Sequence, residues 1–191
     1  MTKTLISPEY LALNAELHKR KAKYGGKGHD WLARVVQYVT AAKAKTYLDY
    51  GCGKGTLADA MQENFALTFL PNKEAIFRYD PVTAPDEPPA CDFVTCCDVL
   101  EHIEPKYLDN VLEDLAAKIK VQGLLVISQR LANKTLADGR NAHLIVKPTP
   151  WWMERLGKYF DVVEVDPIKP KRVGIELAVL VTPKQAEALA A

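Results

Sequence analysis

The sequence lacks a dominant charge and any run of residues that could cross a membrane. Its 25 Lys and Arg residues nearly balance 24 Asp and Glu residues, so the net charge of +1 gives no global attraction to nucleic acid. No apolar stretch approaches the roughly 20 residues that span a bilayer. The start of the chain also has no apolar signal segment. We therefore expect a soluble, cytoplasmic protein with no membrane partner and no obligate protein partner.

The cysteines give no sign of a zinc site or a disulfide framework. The four of them form no CxxC pair and no Cys–His zinc spacing. Cys96 and Cys97 are adjacent within an apolar run, and adjacent residues of a strand point to opposite faces of a sheet. We expect both to be buried apolar side chains in a reducing compartment.

Basic residues cluster at two places in spite of the balanced total. One cluster lies at 19–23 and the other at 169–172. Either cluster could contact phosphates, but a solvated charged surface is the simpler interpretation.

Alternating strands and helices predict a Rossmann-like α/β fold. The predicted strands are 46–50, 75–79, 92–97, 123–128, 162–165 and 175–181, and the predicted helices are 8–23, 31–42, 56–64, 107–119 and 150–158. This alternation favours a doubly wound, mostly parallel sheet. The last two strands have no helix between them, so we expect a C-terminal antiparallel hairpin. The length of 191 residues suits one domain, 1–191.

A glycine turn follows the first predicted strand, with the spacing Gly51-x-Gly53-x-Gly55. Dinucleotide-binding turns read GxGxxG and hold a pyrophosphate at a helix N-terminus. Here Asp49 precedes the turn, where its carboxylate would repel a pyrophosphate and suit a ligand ammonium group. Asp80 ends the next strand, where an acidic residue can bind ribose hydroxyls. The pattern favours S-adenosylmethionine (SAM) over NAD, and so disfavours a nicotinamide oxidoreductase.

Three segments resemble motifs of the class I SAM-dependent methyltransferases. They are LDYGCGKGTLA at 48–58, RYDP at 78–81 and CDFVTCCDVLEHIEP at 91–105. The resemblance covers about residues 28–182. The chain also resembles compact methyltransferase-like proteins of phage and bacterial genomes, through DGRNAHLI at 138–145 and the pair Trp151-Trp152.

The resemblance implies methyl transfer from SAM and assigns a cofactor site. It places Asp49, Gly51, Cys52, Gly53 and Gly55 around the methionine end of SAM, and Asp80 at the ribose. One departure concerns the adenine. The family usually has a helix, a further strand and an acidic residue before the fourth-strand motif, but only 81–91 are available here. We expect a fold shortened at this point, with adenine contacts from Pro81, Val82 or the pair Asp98-Val99.

The loop after the third predicted strand carries the candidate catalytic residues Asp98 and His102, to which His143 is added from a later loop. Asp98-x-x-Glu101-His102 resembles a pattern of metal-dependent small-RNA 2′-O-methyltransferases and of ubiquinone-pathway O-methyltransferases. The resemblance implies a Mg²⁺ or Mn²⁺ site made of Asp98, Glu101, His102 and His143. It departs from the family pattern at Asp98, where Glu is usual. The alternative is that the histidines only brace their loops.

Two further segments are candidates for contact with ligands. The polar loop 129–148 follows a buried strand, and long loops of this kind are often functional. We expect Arg130, Arg140, Asn141 and His143 to recognise a small-molecule or RNA acceptor. The N-terminal segment 1–28 is predicted to be helical and to act as a lid, with His29 and Trp31 closing the pocket. The alternative for these two residues is a plain helix start.

The sequence leaves three functional hypotheses open. The first is an active methyltransferase that modifies an oxygen or nitrogen nucleophile of an unidentified acceptor. The second is a catalytically degenerate SAM-binding module or regulator. The third is a metal-dependent RNA 2′-O-methyltransferase.

Overall fold

The computed structural model describes residues 3–21, 24–165 and 176–184. The helices are α1 (Pro8–Arg20), α2 (Leu32–Ala41), α3 (Thr56–Glu63), α4 (Leu108–Lys118) and α5 (Thr149–Leu156). The strands are β1 (Tyr47–Tyr50), β2 (Ile76–Tyr79), β3 (Cys91–Cys97), β4 (Ile119–Ser128), β5 (Phe160–Val165) and β6 (Glu176–Pro183). The basic cluster at 169–172 and Lys23 lie outside the described residues.

The six strands form one sheet in the order β2-β1-β3-β4-β6-β5. Strands β2, β1, β3 and β4 are parallel to one another, whereas β6 runs antiparallel to both β4 and β5. The predicted mostly parallel sheet and its C-terminal antiparallel pair are therefore confirmed. Because the four parallel strands share one direction, their carboxyl ends meet at one edge of the sheet. Among the described helices, none is long and apolar enough to cross a membrane.

Helices cover both faces of the sheet, as the alternation of side chains along the strands requires. On one face Leu48 packs in a core with α4 and α5. On the other face Tyr47 packs in a core with α2 and α3. Cys96 belongs to the first core and Cys97 packs against the second, as the sequence predicted.

The connection between β2 and β3 is short and contains no helix or strand. Residues 80–90 form turns, with a single antiparallel bridge between Asp80 and Ala84. The several prolines of this stretch remove backbone donors and prevent a helix. Strand β2 consequently remains at the edge of the sheet, and the expected shortening of the fold is confirmed.

Helix α1 packs away from the sheet, against the loop 129–148. A third apolar cluster joins Tyr10 and Leu17 of α1 to Leu136 and Ala142 of the loop. The N-terminal helix and this loop therefore form an outer layer over the carboxyl edge of the strands.

Candidate cofactor and acceptor site

A cavity of about 350 Å³ opens at the carboxyl edge of the parallel strands. Its floor comes from the ends of β1, β2, β3 and β4, including Asp49, Tyr79, Asp98 and Ser128. Its walls come from α1, from the segment 24–31 and from the loop 129–148. This is the location at which open α/β sheets bind their ligands.

The glycine turn has left-handed backbone angles at all three glycines. Gly51 has φ +74° and Gly53 has φ +54°, angles that side-chain-bearing residues rarely adopt. A Cβ on Gly51 would lie 2.3 Å from Val99, and one on Gly53 would lie 2.7 Å from the Gly25 carbonyl oxygen. The absence of side chains at Gly51 and Gly53 thus lets the turn pack closely against Val99 and Gly25. A larger residue at either position would prevent this packing.

Asp49 is a buried carboxylate at the floor of the cavity, with one oxygen unsatisfied. Its Oδ1 accepts a long hydrogen bond of 3.4 Å from Thr95 Oγ1. Its Oδ2 has no hydrogen-bond partner among the described residues. Burial raises the pKa of Asp49 to about 7. A ligand ammonium group would satisfy the orphaned oxygen and favour the ionised form, so the residue fits the amino group of SAM.

Asp80 also lies at the cavity, where it braces the surrounding backbone. Its Oδ2 accepts from Gly53 N at 3.1 Å, and its Oδ1 accepts from Val82 N at 2.9 Å and Thr83 N at 3.0 Å. A carboxylate has about four lone-pair positions, so capacity for a ribose hydroxyl remains. The ribose contact stays a prediction, and the bracing of the glycine turn is an additional role that the sequence did not indicate.

The predicted cofactor residues fall almost entirely on the cavity lining. Asp49, Gly51, Cys52, Gly53, Asp80, Pro81, Asp98 and Val99 line the cavity, whereas Gly55 and Val82 do not. Gly55 precedes α3 as its N-cap, with φ +72°. Burial raises the pKa of the Cys52 thiol to about 12, so this side chain is an uncharged part of the wall.

The segment 24–31 covers the glycine turn. The Gly25 carbonyl accepts a hydrogen bond of 2.9 Å from Lys54 N, and the Gly25 backbone packs on Gly53. Trp31 is buried and lines the cavity. His29, in contrast, is exposed outside the cavity and lies 3.4 Å from Asp30. The segment therefore lies against the glycine turn with Trp31 in the cavity lining, whereas His29 is not in the lining that it was predicted to close.

Two histidines of the cavity lining, His102 and His143, face each other. His102 Nδ1 lies 2.7 Å from the Ala142 carbonyl oxygen, and His143 Nδ1 lies 2.6 Å from the Arg130 carbonyl oxygen. Since a carbonyl can only accept, each Nδ1 carries a proton and each neutral ring keeps Nε2 as its acceptor nitrogen. The ring centroids are 4.7 Å apart in an edge-to-face arrangement.

Glu101 lies beside the two histidines and is fully buried. Its Oε1 accepts from Ser128 N at 3.1 Å, and its Oε2 has no partner among the described residues. Burial, and secondarily the charge of Asp98, raises the pKa of Glu101 well above its usual value. Candidate ligand atoms of Glu101, His102 and His143 all lie within 4.8 Å of one another.

Three of the four predicted metal residues thus come together, and Asp98 is outside this cluster. Asp98 instead lines the cavity with φ +56°, a conformation uncommon in residues other than glycine. Backbone angles of this kind occur preferentially at functional sites.

Positive charge surrounds the histidine pair. Burial lowers the pKa of His102 to about 3, and the charges of His143 and Lys134 act in the same direction. Burial and the charges of Arg130 and Lys134 also lower the pKa of His143. Lys134 has its own pKa lowered by burial and then by the charges of Lys27 and Lys21. Near neutral pH both imidazoles are therefore uncharged.

The loop 129–148 brings only part of the predicted acceptor set to the cavity. Arg130 and His143 line it, whereas Arg140 and Asn141 do not. Arg140 forms an ion pair with Asp138 at 2.6 Å. Asn141 Oδ1 accepts from Ala132 N and His143 N, so this side chain holds the loop in shape.

Three residues of the N-terminal part line the cavity although no sequence motif indicated them. The Tyr10 hydroxyl donates to the His102 carbonyl oxygen at 2.7 Å. The Tyr24 ring packs edge-on against His18, with centroids 4.7 Å apart, and lies 5.9 Å from His102. His18 lines the cavity with an Nδ1 that has no partner among the described residues. Only their aromatic character, within a polar helix and a glycine-rich turn, could have pointed to them.

Several solved structures that share this fold are described as methyltransferases. The 1,6-didemethyltoxoflavin-N1-methyltransferase of Burkholderia thailandensis, bound to 1,6-didemethyltoxoflavin and S-adenosylhomocysteine, is 17% identical, with 97% of this chain and 94% of that chain covered and a TM-score of 0.57. A mitomycin 7-O-methyltransferase is 15% identical, with 92% and 60% covered and a TM-score of 0.64. At these identities the likeness shows the fold alone.

The family assignment comes from a sequence model. Residues 17–165, most of the chain, match the model of a family described as a methyltransferase domain. A search of curated proteins found no significant match. Because this match spans most of the chain, it shows the family: the chain belongs to the class I SAM-dependent methyltransferases.

Proposed function

We propose that the chain transfers the methyl group of SAM to an oxygen or nitrogen nucleophile that binds beside His102 and His143. The observation that carries this proposal is the pair of neutral imidazoles at the cavity, each with its Nδ1–H fixed by a backbone carbonyl. Such fixed rings present Nε2 to a ligand in a defined orientation. The same cavity contains Asp49 and the glycine turn, which suit the methyl donor.

When bound, SAM supplies an electrophilic methyl carbon on a sulfonium, and the protein orients the two reactants. We propose that Asp49 binds the ammonium group and that Asp80 binds the ribose. The fit rests on the orphaned Oδ2 of Asp49 and on a turn whose glycines admit no Cβ. The segment 24–31 then excludes water from above the glycine turn.

The acceptor proton is best taken by His143. A pKa of about 3 makes His102 a poor proton acceptor at neutral pH, because an effective base has a pKa near the working pH. His143 is only partly buried, and it lies beside Arg130 and Lys134. These two cations favour an acceptor that is anionic or that becomes anionic as it loses its proton.

A first experiment measures binding and transfer separately. Isothermal titration with S-adenosylhomocysteine tests the cofactor site, and release of S-adenosylhomocysteine from SAM is then followed with phenols, amines and short RNAs as acceptors. We expect His143→Ala to keep cofactor binding and to lose transfer by about two orders of magnitude. His29→Ala, which removes an exposed histidine outside the cavity, should change neither. Cofactor binding without transfer to any acceptor would favour the degenerate binding module.

One observation favours a metal-dependent reaction as a second candidate. Glu101, His102 and His143 bring a carboxylate and two imidazoles together, and both imidazoles have the backbone-held Nδ1–H that metal-binding histidines usually show. A metal ion that bonds each ligand atom at about 2.1 Å needs ligand atoms roughly 3–4 Å apart. The candidate atoms of the three residues lie within 4.8 Å of one another, so small side-chain rotations would bring them to that separation. A divalent cation would lower the pKa of an acceptor hydroxyl. Nitrogen ligands favour Mn²⁺ over Mg²⁺.

Titration with Mn²⁺, followed by electron paramagnetic resonance of the free ion, tests this candidate. Glu101→Gln keeps an oxygen that can accept from Ser128 N but removes the carboxylate, so we expect it to weaken Mn²⁺ binding at least severalfold. The exposed His29→Ala is again the matched control. Equal binding by the wild type and Glu101→Gln would eliminate this metal site.

We also propose that residues 1–191 act as one domain. The outer layer supports this organisation, since α1 shares an apolar cluster with the loop 129–148. In this proposal the N-terminal segment serves as the lid and the loop 129–148 as the acceptor loop.

A further inference from the structure

The residues that line the cavity include two groups of different chemistry. One group is polar and contains the buried Asp49 and the two histidines. The other group is apolar and consists of Leu5, Tyr79, Val99, Ile103 and Val111. Leu5, Tyr79, Val99 and Ile103 are all partly buried and pack against the same core on the α4 side of the sheet, to which Val111 belongs.

Leu5 comes from an extended N-terminal segment, residues 3–7, that is fixed to the body of the protein. Ser7 donates twice to the Glu104 carboxylate, from its backbone N at 2.8 Å and from its Oγ at 2.9 Å. Asn110 Nδ2 donates to the Thr4 carbonyl oxygen at 2.8 Å. Glu104 is itself largely buried, so its two bonds to Ser7 are partly shielded from water, whereas the Asn110–Thr4 bond is exposed. The segment is therefore a built part of the wall.

The short β2–β3 connection explains why such a segment is needed. Residues 80–90 supply no helix and no strand, and β2 is the edge of the sheet. At the end of β2 only Tyr79 and the following turn, with Pro81, remain beside the cavity. Leu5 and Ile6, from the N-terminal segment, line the same cavity.

SAM matches this polarity, because its amino-acid end is charged and its purine is flat and weakly polar. The ammonium group fits Asp49, and the apolar group of lining residues fits the purine. We propose that residues 3–7 form a wall of the adenosine pocket, with Leu5 in contact with the purine. The inference rests on the cofactor assignment and does not depend on the acceptor or on a metal.

The first test compares S-adenosylhomocysteine with 5′-methylthioadenosine, which has the adenosine but lacks the amino acid. We expect Leu5→Asp to weaken both ligands about tenfold or more, since a carboxylate would lie against the purine. The matched control is Leu67→Asp, because Leu67 is exposed and is not among the lining residues of the cavity. Unchanged affinities in a folded Leu5→Asp protein would overturn the proposal.

A second variant keeps the proposal testable if Leu5→Asp fails to fold. In Leu5→Cys the new thiol lies at a partly exposed position. Cys52, Cys91 and Cys96 are buried, and labelling of the partly exposed Cys97 is measured in the wild type and subtracted. We expect S-adenosylhomocysteine to slow the labelling of the new thiol by N-ethylmaleimide several-fold. If the Leu5→Cys protein binds S-adenosylhomocysteine but its new thiol is labelled equally fast with and without the compound, only the assignment of residues 3–7 to the pocket wall is overturned. Failure of the wild type to bind it would overturn the cofactor assignment together with the wall.

Discussion

At the scale of single residues, Asp49 shows how a binding site lowers stability. Its carboxyl is buried, and its pKa is raised from 3.8 to about 7 by burial. Below about pH 4 the carboxyl is neutral in both the folded and the unfolded chain. As the pH rises toward 7 the unfolded chain releases this proton first, so the free energy of unfolding falls, and above pH 7 the loss is complete.

We predict that Asp49→Asn stabilises the protein and weakens cofactor binding. Removing the ionisable group should raise the free energy of unfolding at pH 8 by roughly 2–4 kcal/mol and flatten its decline between pH 4 and pH 7. Urea denaturation at pH 5 and pH 8, with titration of S-adenosylhomocysteine, measures both effects. Asp59→Asn, which changes an exposed partner of Arg78, is the control. An unaltered pH dependence in Asp49→Asn would contradict the prediction.

The glycines of the turn allow a second residue-scale prediction. Gly53 and Gly139 both have positive φ angles, but a Cβ on Gly53 would collide with Gly25, whereas nothing lies within 4 Å of a Cβ on Gly139. We expect Gly139→Ala to cost about 1–2 kcal/mol from backbone strain alone. Gly53→Ala should cost more and should also weaken S-adenosylhomocysteine binding, because the segment 24–31 must move. Equal losses of stability, measured by urea denaturation, would show that the contact with Gly25 is unimportant.

At the scale of elements, the strands and the glycine turn were predictable because their signals are local. Residues 47–50 form an apolar strand that runs directly into the glycines, and this strand–turn–helix arrangement identified Asp49. The predicted ends of a strand were less accurate where residues near its start are exposed to solvent. Strand β4 was predicted from 123 but begins at Ile119, because Lys120 and Val121 are exposed and hide its pattern.

The docking of α1 could not be predicted, because its contacts, the apolar cluster with the loop 129–148 and the hydrogen bonds alike, are distant in sequence. Ser7 reaches Glu104 over 97 residues, and Tyr10 reaches His102 over 92. Neither contact produces a periodic pattern of residues that could be recognised in the sequence. For the same reason the roles of Tyr10, His18 and Tyr24 at the cavity were missed, whereas His102 and His143 were found through their motifs.

We predict that the attachment of α1 depends on Ser7. The Ser7 side chain caps the helix by accepting from Tyr10 N at 3.1 Å and also donates to Glu104. Loss of the cap in Ser7→Ala should cost about 1 kcal/mol, and loss of the bond to a buried carboxylate should add to it. Thermal unfolding measures the change. Glu16→Gln, on the exposed side of the same helix, should have little effect. A Ser7→Ala protein as stable as Glu16→Gln would refute the prediction.

At the scale of the whole molecule, the cavity is enclosed by parts from both ends of the described chain and from its middle. Cofactor binding should therefore stabilise the protein as one unit. At a hundredfold excess over its dissociation constant, S-adenosylhomocysteine should add about 2.7 kcal/mol, which corresponds to a rise in Tm of roughly 5–10 °C in a single transition. Calorimetry with NAD as the control tests this prediction. Two separate transitions would contradict the one-domain organisation, and an equal shift with NAD would contradict the cofactor specificity.

The outer layer made by α1 and the loop 129–148 has its own apolar cluster, apart from the two cores of the sheet. The residues that we propose to hold SAM lie mainly at the end of β1 and in the turns that follow β1, β2 and β3, whereas Arg130, Lys134 and His143 lie on the loop. The two sets can therefore accumulate substitutions at different rates over evolutionary time. Selection for another acceptor can therefore change residues of the outer layer while the residues that bind the methyl donor stay unchanged.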